Sequence, residues 1–438
     1  MKASKYPKVL VISSVDPFYG PAIVGLNHYN AIRRGGCEVD FLTKYPVEGH
    51  PEFISVYDQK PKKPSQLARV IKKIFRILGI GALNRQSLDN VFYYEKETEP
   101  TVPVGDVLRR INKPYDVVYI MFWQGVLSFA HIEAIYDKLK CQIQFRCVDY
   151  SPMSGGCHFT GDCQRFEIGC GCCPGIRSKK ENDFTRFNIN YRKRVYDKVK
   201  PIVYGNTYMN TIYRRSYLLK DYDRVEVVYP LSDNETYHPL DMDLCRKKYN
   251  INSGKSFLIL FGCQHLNDPR KGMTFLLEAI KQFHKSLTDE ERKNVLLVII
   301  GHDIRAIKDQ LFFEYQYLGY VNPVDLPTIY SMSNLFLSPS VNDAGPSMVN
   351  QAMSCGTPVV SFEMGTALDV VKGRDTGYCA KLRDPFDFAK GISHIFNLSE
   401  NEYAELRSRC RKVALDLTSE VAFFNNFMRV YEKYLTLA

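Results

Sequence analysis

Residues 335–361 read LFLSPSVNDAGPSMVNQAMSCGTPVVS. Leu335–Ser338 is a short apolar run, Gly345-Pro346 turns the chain, Ser347–Ser354 reads as a helix, and Pro358–Ser361 is a second apolar run. A strand, a polar loop, a helix and another strand make a βαβ unit, the building block of parallel sheets. The same grammar extends upstream. SFLILFG (256–262) and VLLVII (295–300) read as strands, Met273–His284 as a helix, Gln316–Val321 as a strand and Asp325–Met332 as a short helix. Runs of this kind, apolar without alternation, belong to strands buried on both faces.

The first half of the chain repeats the pattern. Val9–Ile12 is a strand, Pro21 falls in the first turn of a helix, Gly35-Gly36 ends that helix, and Cys37–Leu42 is the next strand. Further apolar runs follow at 116–122, 142–147, 201–204 and 225–229. The expected fold is α/β, with two Rossmann-like domains facing a cleft. An N-terminal domain is expected over 1–230, a polar, proline-bearing linker over 231–254, and a C-terminal domain over 255–418.

Composition narrows the class. Of 438 residues 45% are apolar and 24% charged, with 27 Gly and 22 Pro, which excludes collagen-like and wholly disordered chains. The longest apolar runs, Val117–Trp123 and Val295–Ile300, fall far short of the roughly 18 residues of a membrane span. Four strongly apolar residues after KASKYPK are too few for a signal-peptide core, so a cytoplasmic protein is expected. The net charge of +10 points to anionic partners. KPKKPSQLARVIKKIFRILGIG (60–81) sets Leu67, Val70, Ile71, Ile74, Phe75 and Leu78 at helical spacing, with Arg69, Lys72, Lys73 and Arg76 on the other side. Such a helix over 64–80 either lies in a membrane interface or packs its stripe on the first domain.

The loop before helix 347–354 carries Asp343, and Gln351 lies one turn inside the helix. Ser347 can cap this helix, and the amides of Ser347, Met348 and Val349 at its positive end suit a diphosphate. With Cys355-Gly356-Thr357-Pro358-Val359-Val360, the segment resembles the donor signature of GT-B-fold retaining glycosyltransferases of family 4, PS-x-x-E-G-F-G-x-x-x-x-E-A-x-A-C-G-T-P-V-V. The family's two glutamates fall on Asp343 and Gln351. The resemblance makes Asp343 a contact for the transferred sugar and Gln351 a contact for the ribose, on a shorter arm and without charge respectively.

Asn267-Asp268-Pro269-Arg270-Lys271-Gly272 and the helix after it are similar to the family's R-K-G-x-x-x-L-L-E-A element. The resemblance assigns a cation there to the leaving diphosphate, Lys271 first and Arg270 second. Where relatives often carry an Arg after the glycine of the preceding strand, Cys263 follows Gly262. Leu318-Gly319-Tyr320-Val321 matches the element whose glycine frames the nucleotide base, and Gly20 matches a first-loop glycine. A C-terminal helix, 419–438, is expected to return to the first domain, as it does in relatives.

The first domain would then hold the acceptor. Relatives often carry His-Asp where this chain has Val148-Asp149, so Asp149 either orients an acceptor hydroxyl or caps its loop. Five of the 13 cysteines (157, 163, 170, 172 and 173) fall in CHFTGDCQRFEIGCGCCPG. Cys157, Cys163, Cys170 and Cys173 could supply four thiolates to a structural zinc, and a disulfide or a reduced packing cluster is the alternative. The triplets Asp221-Tyr222-Asp223 and Asp241-Met242-Asp243 do not end apolar strands and read as solvated loop acids. No cofactor is therefore expected for catalysis.

Taken with the resemblance, these residues imply transfer of a sugar from a UDP- or GDP-sugar to a saccharide or polyprenyl-diphosphate-linked glycan in surface polysaccharide synthesis, with retention. Peripheral attachment at the inner face of the plasma membrane is a further expectation, and nucleic acid is not an expected partner. Two other readings stand beside it. One is a non-catalytic nucleotide-sugar or membrane-binding protein of this fold, the other a nucleotide-sugar epimerase or hydrolase.

Overall fold

The computed structural model describes residues 6–13, 23–60, 96–146, 148–251 and 254–435. The segment 64–80 and Gly20 lie outside them, so the amphipathic helix and the first-loop glycine are not described further. Two compact units are formed. The first comprises Met1–Gly205, Asn210–Glu226 and Val430–Ala438, the second Asn206–Met209 and Val227–Arg429.

The first unit is built on a seven-stranded sheet in the order β3-β2-β1-β4-β5-β6-β7. Its strands are β1 (Lys8–Ser13), β2 (Glu38–Thr43), β3 (Ile54–Ser55), β4 (Val117–Met121), β5 (Gln142–Arg146), β6 (Ile202–Gly205) and β7 (Val225–Val227). Pairings from β3 through β6 are parallel. Val9–Ile12 and Val117–Met121 are fully buried, which is why both read as unbroken apolar runs. The end of the chain belongs here. Lys433 and Tyr434 both hydrogen-bond Glu226, and Gln142 donates to the Tyr431 carbonyl.

The second unit holds a six-stranded parallel sheet in the order β10-β9-β8-β11-β12-β13. The strands are β8 (Phe257–His265), β9 (Val295–His302), β10 (Tyr315–Gly319), β11 (Leu335–Ser338), β12 (Val359–Phe362) and β13 (Gly377–Ala380). Residues expected as a linker, 231–254, fall in this unit. Tyr237 and Cys245 are buried in its core, and Asp241 caps the helix Met242–Lys248 by accepting from the Leu244 amide. Leu240, Tyr249 and Ile251 also pack against that core, so apolar residues spaced through a polar stretch tie it to the unit.

In this second sheet the chain runs outward from β8 through β9 to β10, returns, and runs the other way from β11 to β13. The switch therefore falls between β8 and β11. Loops leaving the carboxyl ends of two such strands diverge, and the crevice between them is where open α/β sheets take ligands.

Candidate active site

Both loops at the switch carry a predicted residue. After β8, Asp268 accepts from the Arg270 amide and starts a single 3-10 turn, Pro269–Lys271. Gly272 follows with φ +68°, and a Cβ there would stand 2.0 Å from the Pro339 carbonyl oxygen, so only glycine lets the two loops close. The Arg270 carbonyl then accepts from the amides of Val341 (2.8 Å) and Asn342 (3.3 Å). Those two bonds carry the next residue, Asp343, onto Lys271, with Nζ 2.5 Å from Oδ2.

The pair is well shielded, its side chains 24% and 14% exposed. Burial pushes the Asp343 carboxyl up, but the Lys271 ammonium, the Gly345 amide and Arg270 together outweigh it and the carboxyl lies below its ordinary value. Lys271 shows the mirror balance. Burial lowers it, Asp343 raises it by more, and it stays charged. Asp343 Oδ1 also accepts from the Gly345 amide at 3.1 Å, so the carboxylate is held at both oxygens.

The other predicted donor-site residues divide. Arg270 is not turned to the same point as Lys271. Its guanidinium forks onto Asp268, Nη2 to Oδ2 at 2.6 Å and Nε to Oδ1 at 3.2 Å. Ser347 does not cap its helix. Pro346 is the cap residue and no side chain bonds there, because the chain turns into the helix one residue earlier than expected. The Val349 amide is already given to the Pro346 carbonyl at 3.1 Å, which leaves Ser347 and Met348 as the first-turn amides for an anion. Gln351 Oε1 accepts from the Tyr330 hydroxyl at 3.1 Å. Gly319 closes β10 with φ +67° and nothing within 4 Å of the Cβ position. Beyond it Tyr320 stacks on His302, centroids 5.3 Å apart.

One residue of this site was missed in the sequence. Buried Asn206, which belongs to the second unit, donates to the Ala344 carbonyl at 2.7 Å and accepts from the Met209 amide. It braces the loop beside Asp343 although it lies 138 positions from Ala344, and no local pattern marks it.

In the first unit Asp149 follows β5. One carboxylate oxygen accepts from the Ser151 amide at 2.8 Å, which caps the loop; the other lies 2.6 Å from His158 Nδ1. In place of the histidine absent at position 148, Asp149 meets one nine residues after itself. The local signal was the His in Cys157-His158-Phe159, within a segment read for its thiols. Cys157, Cys163, Cys170 and Cys173 line one small cavity together with Thr160, Arg165 and Phe166. Burial, then the neighbouring thiols, pushes the Cys157 thiol up, and burial takes Cys170 to about 12. As the side chains stand, no group of three or more His, Cys, Asp or Glu among the described residues could hold a metal ion. The aspartates of both Asp-x-Asp triplets are exposed.

The fold is GT-B, two Rossmann-like domains each on a mainly parallel sheet. HepE from Anabaena, solved in complex with UDP-glucose, has this architecture. It is 14% identical, with a TM-score of 0.61 and coverage of 98% of this chain and 100% of that one. Residues 242–415 match the family described as glycosyl transferases group 1. The N-acetyl-alpha-D-glucosaminyl L-malate synthase of Bacillus anthracis is 26% identical over 38% of this chain and 43% of its own. The O-antigen chain mannosyltransferase B of Escherichia coli is 31% identical over 32% and 36%. The chain thus spans less than half the length of these curated relatives. Among the described residues no helix is long and apolar enough to cross a membrane.

Proposed function

We propose that the chain is a retaining glycosyltransferase of family 4 that moves a sugar from a UDP- or GDP-sugar to a glycan or polyprenyl-linked acceptor. The observation that carries this reading is the partly buried Lys271–Asp343 pair at the β8/β11 switch, beside the first turn of helix Ser347–Ser354. In the transition state negative charge grows on the departing diphosphate. A preorganised ammonium stabilises that charge more than it stabilises the bound donor, and so lowers the barrier. The first-turn amides would take the phosphate oxygens, Asp343 a sugar hydroxyl and Gln351 the ribose.

Asp149 with His158 would orient the acceptor hydroxyl. The groups named for the diphosphate are protein cations and amides, so a divalent ion has no assigned place in the reaction. The O-antigen relative supports a glycan acceptor. The N-acetyl-alpha-D-glucosaminyl L-malate synthase, named for L-malate, supports a soluble acceptor as the second reading. Attachment at the inner face of the plasma membrane through 64–80 belongs to the glycan reading.

The test is a thermal-shift panel of nucleoside diphosphates and nucleotide sugars, with and without EDTA, followed by product analysis. A shift with one nucleotide that survives EDTA, and an α-configured product from an α-linked donor, are the expected results. No shift with any nucleotide would overturn the reading in favour of a degenerate binding protein.

A further inference from the structure

The loop 154–183 has little apolar material of its own. Phe166 and Met153 are among the few large apolar side chains buried in or beside it. Its backbone is nonetheless tightly specified. Gly155 and Gly171 lie against the carbonyl oxygens of Thr185 and Glu181, where a Cβ would come within 2.4 and 2.1 Å. The Cys172 amide donates to the Lys180 carbonyl and the Cys173 amide to Asp183 Oδ2. Ser154 Oγ both donates to the Cys157 carbonyl and accepts from the Cys157 amide.

What this framework surrounds is a cavity of about 20 Å³, room for one atom-sized occupant, bordered by the side chains of Cys157, Cys163, Cys170 and Cys173. Cys172, between the last two, is turned elsewhere, its Sγ bonded to Glu181 and to the Lys179 carbonyl. All twelve described cysteines are unbridged.

We propose that Cys157, Cys163, Cys170 and Cys173 bind one structural zinc ion. Four cysteines around one small void are the number and type of ligand that tetrahedral Zn²⁺ takes, and binding would draw their thiolates inward to the roughly 2.3 Å of a Zn–S bond. Each thiol gives its proton to solvent as its bond to zinc forms, and no oxidant is needed. The ion would cross-link a loop that cannot hold itself by apolar burial. It would also fix His158, which follows the first ligand, against Asp149. The site stands apart from the donor chemistry, so its failure would leave that reading untouched.

The experiment uses the full chain, expressed without a histidine tag and purified without chelator. Metal content is measured by plasma mass spectrometry, and thiols are titrated with a mercurial in the presence of a zinc-sensitive dye. About one zinc per chain is expected, released in step with modification of about four thiols. Cys172→Ser should keep the zinc, and Cys170→Ser or Cys173→Ser should lose it. Should those variants fail to fold, the titration of the unaltered protein decides. Below about a tenth of an equivalent of zinc in the folded chain, or disulfides between these cysteines in peptide mass mapping, would overturn the proposal.

Discussion

Lys271 and Asp343 stand 72 residues apart in the chain and 2.5 Å apart in space, closed against each other by the two amides that donate to the Arg270 carbonyl. Lys271→Ala is expected to lower turnover by roughly a hundredfold or more, because the leaving group loses its preorganised cation. It should also cost roughly 1.5–3 kcal/mol of stability, since a shielded carboxylate is left without its partner. The double variant Lys271→Met, Asp343→Leu should recover most of the stability and none of the turnover. Urea unfolding and steady-state rates on the three proteins check this; equal recovery of both would remove the pair from the site.

The Asp343 carboxyl lies below its ordinary value in the folded chain. Its contribution is therefore complete above the unfolded carboxylate pKa of about 3.9 and is lost as pH falls through the depressed folded value. Urea midpoints measured from pH 5 downward should fall more steeply for the unaltered protein than for Asp343→Asn. Parallel curves would show that the pair adds nothing to acid stability.

A second acid-sensitive group lies in the first unit. Burial lowers His131 to about 4, and its Nδ1 accepts from the Ser128 amide at the start of helix Phe129–Leu139. Unfolding frees the ring to take a proton from about pH 6.5, so stability should decline as pH falls from about 6.5 to about 4. His131→Gln should flatten that part of the profile while lowering the plateau at neutral pH. A profile of unchanged slope would assign the decline to other groups.

The His158–Asp149 pair tests the acceptor side. His158→Gln and Asp149→Asn are each expected to reduce turnover about tenfold or more and to raise KM for the acceptor, with donor KM unchanged. A rise in donor KM instead would place the pair in nucleotide binding.

Arg192 is wholly buried, paired with Glu97 at 2.5 Å, and it donates to the carbonyls of Ser151 and Ser154 at the base of the cysteine loop. Arg192→Ala leaves the buried Glu97 carboxylate with the Phe129 amide at 2.6 Å but without its counter-charge, and should cost roughly 3–5 kcal/mol. Circular dichroism melts check the size. A change under about 1 kcal/mol, the usual worth of an exposed pair, would mean that water replaces the guanidinium.

The strands were legible because parallel strands are buried on both faces, which forces runs such as SFLILFG and VLLVII on the chain. The βαβ grammar, the turn at Gly345-Pro346 and the positions of Lys271 and Asp343 in loops after strands are local properties, written within a few residues of where they act. Partnerships across the chain are another matter. That Lys271 meets Asp343 and that Asn206 braces Ala344 depend on which loops the fold brings together, whereas Arg270 with Asp268 and His158 with Asp149 close within single loops, through side-chain directions that no sequence period records. The same holds for residues 231–254, polar enough to read as a tether yet anchored through Tyr237 and Cys245. Periodicity and turn chemistry are set by near neighbours. The partner and the burial of a charged side chain are set by segments far away in sequence, because a charge leaves water only where the folded chain supplies its complement.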